Sequence, residues 1–419
     1  MSRFHPFRST IRSVQRPVGT AWRAVAVVAV AGLALGCPSK DARIGVVLPL
    51  SGQDQAIGES IRRGIELGAE QLAANGSTVA FMLEFADSQS DPETARAELD
   101  RLIDQGVVAT IGGATEAEAR VVVPVAEDRE RVLIMPSTGD QRLSHSARFA
   151  YRIAPSYKAA GSTLANFATT DLKIESAVVL AQDTTFADTA EEGFRPIFEA
   201  QERQIFDRLE APSTNGDLTA AVATIGETAP GAVLLAGDGP WLTSAVQRLR
   251  EADYGGRIMA LPTFAHPGTL DALGTDASSV LFAHPPFDLT SGNEALTAFS
   301  EAYQAKYGEA PDVHAAQGYD ALWVYATALE GRPPMAGEVR RWIRDHVKNV
   351  DGLTATLQFD EDSGLTAFPR VYSVNDDGAL YDYQEWLDAE REARKERLRK
   401  LKEERDRLLA EQAALANGG

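Results

Sequence analysis

From residue 43 onward the chain alternates short β-rich apolar runs with longer stretches whose apolar positions recur every three or four residues. Residues 44–48 read as a buried strand. Ile57, Ile61, Ile65, Gly68 and Leu72 then mark one face of a helix that Asn75-Gly76 closes. Residues 79–85 form the next strand. Asp91-Pro92 supplies an N-cap and a first-turn proline for a helix reaching Ile103, 107–111 is a third strand, a helix starts near Glu116, and 132–135 is a fourth strand. Strands separated by helices pair in parallel, so the pattern predicts a doubly wound α/β unit.

The alternation restarts near Leu172. Strands at 176–181, near Ile205, at 232–236 and at 257–260 interleave with helices at 187–200, 218–228 and 241–252, which predicts a second parallel-sheet lobe. After Pro285-Pro286 come helices at 296–307, 315–329 and 336–346, then a β-like tail over 353–381 containing the turn Asn375-Asp376-Asp377-Gly378. Residues 385–412 differ in kind: they lack proline and glycine and pair Glu390 with Arg394, Glu396 with Lys400 and Glu403 with Arg407 at i, i+4. Leu387, Leu401, Leu408 and Leu415 share a heptad position, but Arg394 interrupts it and Arg391, Arg405 and Gln412 fill the complementary seam. A charged, solvated, protruding C-terminal helix over 385–419 is expected in place of a coiled coil.

The first 23 residues carry Arg3, Arg8, Arg12, Arg16 and Arg23 with no acid, and a small apolar run over 24–35 follows. That run is shorter than the roughly 20 residues a spanning helix needs, so 1–36 reads as a secretory signal. It ends in Leu33-Ala34-Leu35-Gly36-Cys37, which resembles the lipobox of bacterial lipoproteins, where the cysteine is acylated. At about 0.8 kcal/mol per buried methylene, several acyl chains on Cys37 would anchor the protein durably on the periplasmic face of a bacterial membrane. Pro38 is not the aspartate that some diderm bacteria use for inner-membrane retention, which leaves an outer-membrane destination open. Cys37 is also the one cysteine of the chain, so no internal disulfide forms and no free thiol remains for chemistry.

The 419 residues, 44% hydrophobic and 24% charged, exclude a disordered chain and give room for two or three cores. Net charge is −19, and removing the five leader arginines deepens it to −24. Such a surface repels phosphate backbones, so nucleic acid is not expected as a partner. The six histidines, His5, His145, His266, His284, His314 and His346, show no HExxH or i, i+4 pair, and there is no CxxC, P-loop or G-x-S-x-G. Gly237-Asp238-Gly239 lacks the third glycine of a dinucleotide fingerprint. Glu116 and Glu118 read as a solvated helix face. No enzyme, metal or cofactor is therefore expected.

The order of motifs resembles the type I periplasmic binding proteins, in the branch of the Leu/Ile/Val-binding proteins of ABC importers. The matching stretches are Ile44-Gly45-Val46-Val47-Leu48-Pro49-Leu50-Ser51-Gly52, Asp87-Ser88-Gln89-Ser90-Asp91-Pro92, Ile111-Gly112-Gly113-Ala114-Thr115, Met135-Pro136-Ser137-Thr138, Tyr151-Arg152-Ile153-Ala154-Pro155 and Ala315-Ala316-Gln317-Gly318-Tyr319-Asp320-Ala321. The resemblance implies two lobes joined by three crossovers, near 153–155, 283–287 and 358–360, with a ligand caught between them. Lobe one would combine 41–153 with 286–357, and lobe two 154–285 with 358–384.

Carried over by position, the ligand-binding candidates in lobe one are Ser51, Gln53, Thr115, Glu116, Ser137 and Thr138, all in loops after strands, where free N–H groups gather. In lobe two they are Phe186, Asp238 and Thr263. Glu116 stands where the family commonly has a serine that holds a ligand carboxylate, and Thr263 where amino-acid binders often carry an acid for the ammonium. This departure favours a neutral polar or cationic ligand over an anion. The function implied is a lipid-anchored receptor that delivers a small polar solute to an ABC permease. An outer-membrane lipoprotein that regulates or scaffolds envelope synthesis on the same fold is the alternative.

Overall fold

The structure is a computed structural model that describes residues 41–419 except 183–184, 213–215, 290–291, 367 and 418–419. The signal segment and Cys37 lie outside the described residues. Lobe one opens with β1 (Ala42–Leu48), α1 (Gln55–Ala74), β2 (Phe81–Asp87), α2 (Pro92–Asp104), β3 (Ala109–Ile111), α3 (Glu116–Asp128), β4 (Leu133–Met135) and β5 (Ala150–Arg152). The five strands run parallel in the order β2-β1-β3-β4-β5. β1 is buried along nearly its whole length, as a strand covered on both faces must be. α2 starts where expected, with Asp91 accepting a hydrogen bond from Thr94 N at 2.7 Å and Pro92 in the first turn.

The next helix, α4 (Tyr157–Thr170), precedes the point where the sequence pattern placed the second lobe. Its buried face is built largely of alanine and glycine beside Tyr157, Leu164 and Phe167, so the 3.6-residue period lacks bulky markers. There follow β6 (Ser176–Ala181), α5 (Thr185–Ala200), β7 (Gln204–Glu210), α6 (Gly216–Thr228), β8 (Ala232–Ala236), α7 (Gly239–Glu251), β9 (Arg257–Ala260), α8 (Pro267–Leu273) and β10 (Leu281–His284). After them come α9 (Glu294–Tyr307), α10 (Val313–Leu329), α11 (Ala336–His346), β11 (Val350–Asp351), β12 (Thr356–Leu357), β13 (Arg370–Val374), β14 (Leu380–Asp382) and α12 (Tyr383–Asn417). The second sheet has the order β14-β13-β10-β9-β8-β6-β7, with β13 antiparallel to β10 and to β14 and the remaining pairs parallel.

α10 and α11 return to lobe one, where Leu322, Tyr325, Leu329, Val339 and Trp342 share a core with Ile44, Ile61 and Ile111. Leu357 and Leu365 are buried in that core and Phe359 packs against it. Arg152 N donates to Ser363 O at 2.9 Å and Leu365 N to Arg152 O at 3.0 Å. The third crossing therefore comes after Leu365 and not at 358–360, because the apolar residues on either side of Asp360 are held by lobe one.

In each lobe one helix pair touches backbone to backbone. A Cβ on Gly64 would lie 1.8 Å from Ala315 O and one on Gly318 2.4 Å from Ile61 O, which brings α1 against α10. A Cβ on Gly161 would lie 2.0 Å from Ala190 O and one on Gly193 1.9 Å from Lys158 O, which does the same for α4 and α5. α12 is not wholly solvated. Tyr383 is buried in the lobe-two core, Leu387 packs on it, and Arg391 pairs with Asp171 at 2.8 Å. From Glu392 to Ala413 every residue is exposed.

Candidate functional site

The carboxyl ends of the parallel strands in both sheets carry the polar loops, as open α/β sheets require of a binding crevice. After β1, Ser51 Oγ donates to Asp87 Oδ2 at 2.7 Å, and Leu50 N and Ser51 N donate to Asp87 Oδ1 at 2.9 and 3.1 Å. Gln53 is exposed beside Asp54. After β3, Thr115 caps α3 and accepts from Glu118 N at 3.3 Å. After β4, Ser137 Oγ donates to Ala114 O at 2.6 Å and Thr138 Oγ1 to Gly113 O at 2.8 Å, so both hydroxyls stitch the β4 loop to the β3 loop. Lobe two repeats the device: Thr263 Oγ1, after β9, donates to Gly237 O at 2.7 Å, after β8. With their protons committed to carbonyls, these three hydroxyls have only lone pairs left to offer. Phe186 lies in α5, and its side chain is outside the described residues.

Glu116 and Glu118 are not the solvated helix face that their spacing suggested. They are 7% and 1% exposed, because α3 begins against the β4 loop and its first turn points inward. Glu116 accepts from Gly139 N at 3.0 Å and from the Tyr157 hydroxyl, which ties the start of α3 in lobe one to the start of α4. Burial pushes its carboxyl up to about 7, and the Asp238 charge adds to the effect. Glu118 accepts from the Ser88 hydroxyl, and burial likewise raises it to about 7. Asp238, at the start of α7, receives no hydrogen bond from the helix it precedes, although its own N donates to Gln182 Oε1 at 3.0 Å. Burial raises its pKa first and the Asp54 charge second, against a lowering by Arg120. Acids of lobe one thus face an acid of lobe two closely enough to oppose one another's ionisation.

Where the two sets of loops meet there is a cavity of about 20 Å³, lined by Ser137 and Tyr157, by Thr263, His266 and His284, and by His314 and Gln317 of α10. Its three histidines form no local pair in the sequence. The fold joins them from the α8 start, the end of β10 and the first turn of α10, with the rings of His266 and His314 5.1 Å apart. One sequence signal does exist: His314, Gln317 and Asp320 are polar side chains one turn apart along a mostly apolar, buried helix, and Asp320 is taken up by Leu353 and Thr354. Among the described residues no group of histidine, cysteine and acid side chains is arranged to hold a metal ion.

A periplasmic binding protein family model matches residues 41–379. The leucine-, isoleucine-, valine-, threonine- and alanine-binding protein of Pseudomonas aeruginosa is 23% identical over 368 residues, 85% of this chain and 96% of that one. The fold is shared with the branched-chain amino acid transporter substrate-binding protein LivJ of Streptococcus pneumoniae, solved with isoleucine, at TM-score 0.72 and 22% identity over 81% of this chain and 98% of that one. It is shared also with an R. palustris solute-binding protein solved with benzoate, at TM-score 0.68 and 18% identity over 82% of this chain and 95% of that one. The two parallel-sheet lobes, the loops facing each other across them and the family match over most of the chain agree: this protein belongs to the periplasmic binding protein family, whose members bind substrates and do not transform them.

Proposed function

We propose that the protein is a lipid-anchored, extracytoplasmic solute receptor that closes its lobes over a small polar ligand and presents it to an ABC permease. The observation that carries this reading is the meeting of the β4 loop of lobe one with the β9 loop of lobe two around one polar cavity. Closure of such lobes supplies both affinity and a shape that a transporter can recognise. Relatives that bind branched-chain amino acids support a ligand of that size, whereas the acids at Glu116 and Asp238 favour a neutral or cationic solute. Ser51, Gln53, Thr115, Ser137, Thr138, Phe186 and Thr263 complete the proposed contact set.

Thermal-shift screening of the purified chain against amino acids, amides, amines, sugars and aromatic acids tests the proposal. A neutral or cationic compound is expected to raise Tm. A cation should lose at least about tenfold in affinity, roughly 1.4 kcal/mol, on Asp238→Asn. Tight binding of a carboxylate that is indifferent to both Glu116→Gln and Asp238→Asn would remove the site assignment. The alternative, a regulator or scaffold of envelope synthesis, is favoured by α12, which lies beyond the family match and is mostly exposed. Normal uptake of the identified solute in a deletion strain would turn the balance toward it.

A further inference from the structure

We propose that the cavity between the lobes is the closed end of the ligand chamber and receives a solute terminus that donates hydrogen bonds: a primary ammonium, an amide NH2 or a hydroxyl. The inference rests on solute capture as proposed above and names the chemistry of one end of the solute.

The buried polar atoms left without partners on the residues that line the hollow are mostly acceptors. His284 Nδ1 lies 2.8 Å from Pro285 O. A carbonyl oxygen only accepts, so Nδ1 carries the proton and, in a ring that burial keeps neutral, Nε2 is a bare lone pair. His284 is 1% exposed and its Nε2 has no partner. Gln317 is 3% exposed, and its side chain lies beside the His314 ring without a well-formed hydrogen bond to Oε1. His314, 4% exposed, leaves both ring nitrogens unpartnered, one of which must be an acceptor in the neutral ring. Ser137 and Thr263 have already given their hydroxyl protons to Ala114 O and Gly237 O.

A buried acceptor left without a donor is costly, because its lost hydration is not replaced. A donor head group relieves several at once, and a carboxylate would add lone pairs where lone pairs already crowd. The size agrees: about 20 Å³ admits a single water-sized group, such as one nitrogen or oxygen with its protons. The charged and titratable surroundings are mixed, and the buried Arg152 guanidinium beside them is engaged by Ala154 O. Asp312 stands before His314, Glu116 lies behind the Tyr157 hydroxyl, and His266 completes the wall.

Three probes with the same branched tail separate the head groups: isopentylamine, isovaleramide and isovalerate. Titrated calorimetrically into the purified full chain at pH 7.5, the amine and the amide should bind at least tenfold more tightly than isovalerate. Gln317→Met and His314→Leu should weaken amine and amide binding by at least tenfold. Both should leave the Tm of the unliganded protein unchanged or higher, because an unsatisfied buried polar atom is replaced by an apolar one. Isovalerate binding as tightly as the amine overturns the proposal, as does an amine that fails to bind at millimolar concentration. Unchanged amine binding in both variants also overturns it, and would mean that the hollow holds water alone. Variants that lose binding together with Tm overturn it too, by showing a merely structural role. A screening hit that is insensitive to both substitutions removes this subsite while leaving solute capture intact.

Discussion

Glu116 is a carboxyl whose position was legible in the sequence and whose direction was not. Its place after β3 follows from the strand-loop-helix pattern. Its burial depends on Gly139 and Tyr157, 23 and 41 residues away, supplying an N–H and a hydroxyl. With its pKa raised from 4.5 to about 7, the folded protein binds a proton between those values that the unfolded chain releases. Stability from this group is therefore lost as pH rises through that window, and the cost is complete above about 7. Glu116→Gln keeps an acceptor for both donors without the charge. It is expected to raise Tm relative to the native chain at pH 8 and to leave it nearly unchanged at pH 4, a differential of roughly 3 kcal/mol at most. An equal Tm change at both pH values would show that the native carboxyl does not titrate in this range. The histidines mark the opposite limit: each is visible as a residue, but their assembly depends on the crossing between His284 and His314, which no local spacing encodes.

Elements with bulky periodic residues were read closely, since β8 and β9 coincide with their expected ranges and α11 does as well. α4 was missed and β5 was too short to announce itself, because a pattern of alanine, glycine and threonine hides a buried face that is made for close backbone approach. The ion pairs of α12 were equally legible, but not its root. Trp386 lies 5.2 Å from the Tyr383 ring, Leu387 joins the lobe-two core, and Arg391 donates to Asp171 O at 3.2 Å as well as pairing with its carboxylate. Truncation after Arg391 should therefore leave Tm nearly unchanged, since exposed i, i+4 pairs contribute only about 0.2 to 0.5 kcal/mol each. Truncation after Tyr383 should lower it by several degrees, an order of 1 to 3 kcal/mol for one packed leucine with its neighbours. Calorimetry of the two truncations decides the point, and equal Tm values would mean that the root does not pack.

At the scale of the whole molecule, the glycine contacts hold α1 against α10 and α4 against α5, so the lobe closure proposed above is expected to be absorbed at the crossings around Arg152, Pro285 and the segment after Leu365. Attachment to a membrane is a separate matter, argued from Gly36-Cys37 ending an apolar run. Cys37→Ser is expected to move the protein from the membrane fraction to the soluble or unprocessed one. Correct processing with full membrane retention of the serine variant would contradict acylation. The free part of α12 has a mechanical consequence. Residues 392–417 at 1.5 Å each form a rod of roughly 40 Å whose root packs on the lobe-two core. Any rotation of that lobe is converted into translation at the tip, on the order of 0.7 Å per degree for a rod of that length. A small angular change at the crossings would thus reach a distant neighbour as a stroke of several ångströms.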